Sequence, residues 1–157
     1  MILIIVAVGK LREAYYRAGV EDYLARIRKM LPVEHIEVAT GGGEESNGKG
    51  SGTLQREASA IERHLKKDGL LVTLEPSGKA MNTEEFSGWL QNAMNNSVPR
   101  VTFVIGGAWG IASSLSEHAD LRLSLSPMTF SHELARLVFC EQLYRVVSLW
   151  KGLPYHK

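Results

Sequence analysis

Residues 101–110 read VTFVIGGAWG, an apolar run that ends in a glycine pair with a third glycine three positions later. Glycines just past a strand end let the backbone turn sharply and approach a ligand closely. In α/β proteins ligands bind at the carboxyl ends of parallel strands. A second such end follows at residues 121–130, LRLSLSPMTF. Together they predict a pocket built largely from main chain, suited to a flat, uncharged group such as adenine.

Other candidate chemistry is weaker. The run Gly43–Lys49, GEESNGK, satisfies most of a phosphate-binding P-loop pattern, but position 50 is glycine where a magnesium-ligating hydroxyl belongs. Two acidic residues inside it would repel phosphate. A flexible surface loop is the better explanation. Gly106, Gly107 and Gly110 do not match G-x-G-x-x-G, so a Rossmann dinucleotide site is also disfavoured. His35, His64, His118, His132 and His156 are scattered without metal-ligand spacing, and no metal is expected. Cys140, the only cysteine, lies among apolar residues and reads as a buried thiol. The end of the chain, GLPYHK at 152–157, is either a frayed terminus or a lid, since Tyr and His can stack on bases and Lys can meet phosphate.

The elements that position these residues follow from length and periodicity. The 157 residues suffice for one domain, with 45% apolar residues and a net charge of +1. That balance argues against a broad electrostatic nucleic-acid surface without excluding a local basic patch. The opening MILIIVAV is too short for a membrane span and lacks a cleavage-like site, so a cytoplasmic protein is expected. Residues 2–8 predict a strand buried on both faces. Helical spacing follows over 11–30, then a strand over 33–39 and a mobile loop over 41–52. A helix is expected over 53–67 and a strand over 70–75. Asn82 and Glu85 predict a capping box for a helix reaching Met94. After the strand at 101–105, Ser114 and Glu117 suggest a short capped helix. A fifth strand over 121–125 and a helix over 132–151 complete the chain. Strands alternating with helices predict an α/β fold with a mainly parallel sheet flanked by helices.

The last helix carries its polar residues Arg136, Glu141, Arg145 and Ser148 on one narrow stripe and is apolar almost everywhere else. A surface helix needs an apolar face only roughly 100° wide. The excess predicts packing against both its own sheet and a second copy of the chain. The alternative is a central helix buried within one chain.

The segments ILIIVAVGK, VTLE with Gly78-Lys79 after it, VIGGAWG, LSLSPMTFSHELAR, EQLYR and the terminal PYHK together resemble one family. It is the SPOUT-class methyltransferases that methylate N3 of a pseudouridine in bacterial large-subunit (23S) ribosomal RNA. The likeness covers the whole chain, as one domain over 1–157, apart from the loop at 41–52. It implies an α/β fold with a C-terminal deep trefoil knot, a homodimer formed through the last helix, and S-adenosylmethionine as cofactor. By motif match the cofactor contacts fall at Leu74, Gly106, Leu125, Ser126, Pro127, Met128, Thr129 and Phe130. Two positions depart from the family. Ser131 stands where proline is usual and, as a good helix N-cap, is expected to keep the helix start with a little less rigidity; Trp109 stands where a smaller or more polar residue is usual. Trp109 then either stacks on cofactor, stacks on substrate, or covers the loop.

For that reaction the candidate general base is His156, because histidine titrates near working pH and the tail would fold over the cofactor. Candidate substrate contacts are His132, Arg136, Arg145, Tyr155 and Lys157. The arginines would meet phosphate or a second copy, and Tyr155 would offer a stacking surface. The near-neutral charge suits a folded ribosomal particle as substrate more than free RNA. Three other readings stay open: a non-catalytic ribosome-associated knotted dimer, a nucleotide-binding protein using 43–49, and a knotted methyltransferase acting on transfer RNA.

Overall fold

A computed structural model describes residues 1–42 and 51–156. The P-loop-like run at 43–49 and Lys157 lie outside the described residues, as does the side chain of His156. Strand β1 (Ile2–Val8) is followed by α1 (Ala14–Arg28), β2 (Val33–Val38), α2 (Ser51–Glu62), β3 (Leu70–Ala80) and α3 (Thr83–Asn95). Then come β4 (Arg100–Ile105), α4 (Ser113–Ser116), β5 (Leu121–Ser124), α5 (His132–Trp150) and a 3-10 turn over Pro154–His156. All pairings are parallel, in the order β2-β1-β4-β3-β5.

The apolar run at the N-terminus becomes the interior of this sheet. Alternate residues of a strand point to opposite faces. Leu3, Ile5 and Ala7 join a core with α1, α3 and α5, whereas Ile4, Val6 and Val8 join another with α2 and α4. β1 is therefore buried on both sides, as expected. Helix α1 packs on α5 so closely that a Cβ on Gly19 would lie 2.7 Å from Leu137 Cδ1.

Local signals held where side chains cap the backbone. Asn82 Oδ1 accepts from the Glu85 amide and Glu85 Oε2 accepts from the Asn82 amide, both at 2.8 Å. At α5, Ser131 Oγ accepts from the Leu134 amide at 3.3 Å. Elsewhere the structure corrects the sequence. Helix α4 is not capped by Ser114: its N-cap is Ala112, which has no side-chain acceptor, and Glu117 lies at its C-terminus. Helix α2 begins at Ser51, inside the expected loop, and ends at Glu62 in a turn closed by His64 and Leu65 amides. Strand β3 does not stop at Glu75. Pro76, Ser77 and Gly78 bulge out, and pairing with β5 resumes at Lys79. A Cβ on Gly78 would meet the Arg122 carbonyl oxygen at 2.7 Å, so the bulge packs backbone against backbone.

No residue of α5 is exposed. Its polar stripe turns partly inward, since Arg136 and Ser148 are completely buried. Leu134, Val138 and Leu149 are half-buried and lie outside the two core clusters.

Candidate functional site

The carboxyl ends of β3, β4 and β5 converge with the start of α5 around a cavity of about 520 Å³. Its walls come from four places. Leu74, Glu75 and Pro76 lie at the β3 bulge, and Ile105 to Ala108 with Gly110 form the turn after β4. Leu125 and Met128 to Ser131 follow β5, and His132 and Ala135 open α5.

The glycine turn leaves no room for a side chain at Gly106. The Gly110 amide donates to the Gly107 carbonyl at 3.1 Å, and Gly110 has φ +82°, in the left-handed region. A Cβ on Gly106 would overlap the Gly110 carbonyl oxygen and lie 2.6 Å from its carbon. One on Gly107 would sit 3.2 Å from both Glu57 carboxylate oxygens. The main chain thus reaches the cavity with no side chain in the way. The facing loop is held by the Met128 amide, which donates to Ser126 Oγ at 3.0 Å.

The expected cofactor residues divide accordingly. Leu74, Gly106, Leu125, Met128, Thr129 and Phe130 line the cavity; Ser126 and Pro127 do not, because Ser126 is turned to its own loop. His132 lines it too. Glu75, Ser131 and Ala135 were missed. Ala135 was accessible in principle, being one helical turn beyond His132. Glu75 Oε1 accepts from Thr73 Oγ1 at 2.6 Å and Ser116 Oγ at 2.8 Å, while Oε2 lies 3.4 Å from the Arg122 guanidinium. Among the cavity-lining residues there is no Lys or Arg.

The mouth of the cavity is tied to the first loop of the chain. Glu133 Oε2 accepts from the Arg12 amide at 2.8 Å and the Glu13 amide at 3.1 Å. Partial burial pushes the Glu133 carboxyl up, but those amides, with His132 and Arg136, outweigh it and leave its pKa lowered.

Arg136, expected to meet phosphate or a second copy, is instead an internal strut. It is fully buried, pairs with Glu37 Oε1 at 2.8 Å, and donates to the carbonyls of Val8 at 3.1 Å and Gly9 at 2.9 Å. Burial lowers its pKa against the opposing effect of Glu37.

His35 lies under the influence of that buried charge. Its Nε2 is buried without a partner, and burial followed by Arg136 lowers its pKa from the usual 6.5. The folded chain therefore holds His35 neutral where the unfolded chain would protonate it. Stability is complete above about pH 6.5 and falls as pH drops toward the folded value. We expect the melting temperature to decline as pH falls below about 6.5, starting above the range in which carboxylates titrate. His35→Gln should flatten that decline. A wild-type profile already flat over this range would refute the assignment.

Burial pushes the Cys140 thiol up to about 12, as suits an inert core thiol. As far as Tyr155 the C-terminal segment is docked on α1 and α5 and does not line the cavity. Arg145 donates to the Tyr155 carbonyl at 3.1 Å and covers its ring at 4.9 Å, and the Tyr23 and Tyr155 hydroxyls are 3.2 Å apart. The bond to Tyr23, then burial, raises the Tyr155 phenol to about 12. Arg145 is ten residues beyond Ala135 on α5, which is about 15 Å along the axis. Arg145 and Tyr155 therefore form a separate cluster. Among the described residues no group of three or more His, Cys, Asp or Glu could hold a metal ion, and no helix is long and apolar enough to cross a membrane.

Known proteins fit this geometry. A family model described as "Predicted SPOUT methyltransferase" matches residues 1–156. The protein named ribosomal RNA large subunit methyltransferase H from Acetivibrio thermocellus is 39% identical over 159 residues, covering 100% of both chains. Proteins of the same name are 38% identical in Syntrophomonas wolfei, over 98% of each chain, and 39% identical in Prochlorococcus marinus, over 98% of this chain and 94% of that one. A crystal structure named "Probable Methyltransferase from Bordetella pertussis Tohama I" has the same fold at TM-score 0.56 and 15% identity, over 93% of this chain and 95% of that one. Family match, full-length relatives and a cavity at three converging strand ends lead to one assignment: the chain belongs to the SPOUT methyltransferases, among the proteins named ribosomal RNA large subunit methyltransferase H.

Proposed function

We propose that this protein is an S-adenosylmethionine-dependent methyltransferase that methylates N3 of a pseudouridine in large-subunit ribosomal RNA, in the cytoplasm and on the assembled ribosome. The observation that carries the cofactor is the makeup of the cavity. Apolar walls and bare glycine backbone suit an adenine ring. A phosphorylated cofactor would find no Lys or Arg among the lining residues, only Glu75 and His132 as ionisable groups. A cation bearing hydroxyl and amino donors fits that set. The relatives' names support large-subunit rRNA as substrate.

Bound there, the cofactor would supply a sulfonium methyl group already activated for attack. The chain's part is to align, enclose and deprotonate. The glycine turn and the loop over 125–131 would hold the cofactor, with Ser126 and Pro127 acting through the loop's shape. Such positioning can lower the barrier by several kcal/mol. The deep trefoil knot belongs to this proposal, since a knotted loop pair is a rigid cradle. So does a homodimer through α5, where Leu134, Val138 and Leu149 offer a half-buried apolar face. The tail is docked about 15 Å along α5 from the cavity of its own chain. His156 as general base therefore acts on a second copy's cavity, or after the tail undocks; Tyr155 and Lys157 would move with it.

Calorimetric titration with S-adenosylmethionine, with ATP and NAD as controls, tests the cofactor. Methyl transfer to intact ribosomes and to naked rRNA, with the modified nucleotide mapped by mass spectrometry, tests the substrate. We expect binding of S-adenosylmethionine alone and transfer to ribosomes far exceeding transfer to naked RNA. ATP binding lost on Lys49→Ala, transfer to tRNA, or no cofactor binding even with ribosomes present would overturn the proposal.

A further inference from the structure

We infer that Trp109 is a substrate-recognition residue, a preformed platform on which an unpaired base of the RNA stacks at the cavity mouth. The inference rests on the proposed function for the identity of the substrate.

Trp109 is at the tip of the turn closed by the Gly110 amide on the Gly107 carbonyl. Gly107, Ala108 and Gly110 all line the cavity, yet Trp109 does not. The turn gives its backbone to the cavity and carries the indole outside it. The ring is 56% exposed. Cofactor stacking, one of the three readings open from sequence, is thereby disfavoured. Covering the loop is disfavoured too, because a ring covering its own turn would be buried by it.

The other tryptophans behave differently. Trp89 packs on the core and stacks with Phe86 at 6.4 Å, and the Trp150 indole donates to Ser87 Oγ at 2.9 Å. Among the described residues Trp109 has no ring, hydrogen-bond or ion-pair partner. On the loop after β5, Met128 lines the cavity while remaining 76% exposed. Two large exposed apolar side chains are thus carried on separate cavity-lining loops, one of them on a turn whose backbone is held by that bond and a left-handed glycine.

Chemistry at a base nitrogen requires that base to leave its stack and enter the pocket. Single-stranded RNA is recognised largely by stacking splayed bases on aromatic side chains. An indole carried on a held turn beside the cavity can replace the lost stacking. It also suits a near-neutral protein, since stacking needs no charge.

The test compares wild type, Trp109→Ala and Trp109→Phe in methyl transfer to ribosomes at saturating S-adenosylmethionine. Alanine should lower kcat/KM for ribosomes about 5- to 150-fold, the range of one base–aromatic stack. It should leave cofactor affinity within about twofold and melting unchanged, and phenylalanine should recover most of the loss. A parallel loss of cofactor affinity would place the ring on the cofactor, and a change in elution volume would place it in a subunit contact. Either result, or an unaltered kcat/KM, overturns the inference. If wild type transfers no methyl group, the functional proposal fails by itself. Tryptophan fluorescence then decides: quenching by an unstructured oligouridylate but not by an RNA duplex, absent in Trp109→Ala, supports the platform. No such quenching refutes it.

Discussion

Gly106→Ala should weaken S-adenosylmethionine binding by about 5- to 150-fold, the scale of about 1–3 kcal/mol of overpacking strain. One methyl group is enough because its neighbour is backbone. A Cβ at 106 overlaps the Gly110 carbonyl, which belongs to the turn that forms the cavity wall. The turn has to open, and no side-chain rotation can relieve it. Gly107→Ala should be milder, since its neighbours are the ends of Glu57 and Val8 side chains. Gly110→Ala has open space around it but forces alanine to φ +82°, costing about 1–2 kcal/mol. Calorimetry on the three variants, with melting curves as controls, reads the order directly. Wild-type affinity in Gly106→Ala would remove the glycine turn from the binding site.

Arg136→Met should cost about 3–5 kcal/mol of stability, the usual loss when one member of a buried ion pair is deleted. At roughly 2–4 °C per kcal/mol for a chain of this size, the melting temperature would fall by about 6–20 °C. Met fills much of the space but leaves the buried Val8 and Gly9 carbonyls without the guanidinium, while Glu37 keeps the Leu11 amide. Arg136→Lys should rescue little, because one ammonium cannot reproduce a planar fork reaching three acceptors. A phosphate contact would behave oppositely. Normal melting together with salt-sensitive loss of RNA binding would restore the reading made from sequence.

The contrast between Gly106 and Arg136 shows what the sequence exposes. Main-chain features announced themselves: the apolar strands, the Asn82–Glu85 box, the glycine pair and the Ser131 cap are local patterns with local causes. Six of the eight expected cofactor residues converge on one cavity because strand ends in a parallel sheet must converge. Residues whose role depends on distant partners were misread. Arg136 looked like a surface cation because nothing near it in sequence reveals Glu37 or the β1 carbonyls. The bulge at Pro76 to Gly78 looked like a strand end because proline and glycine also mark turns. Tyr155 looked free because its partners, Tyr23 and Arg145, lie on two different helices.

The position of β1 inside a parallel sheet, between β2 and β4, has a consequence for synthesis. Ile2 pairs with Arg100 and Ala7 with Ile105. Strand β1, with six consecutive buried residues, must therefore wait for nearly 100 further residues before its inner partner exists. At about 5–20 residues per second, that delay is roughly 5–20 s. Through this interval β1 can pair only with β2, at an edge the finished sheet never exposes. The emerging chain is thus a natural client for holding chaperones, and folding completes only once the last third of the protein has been made.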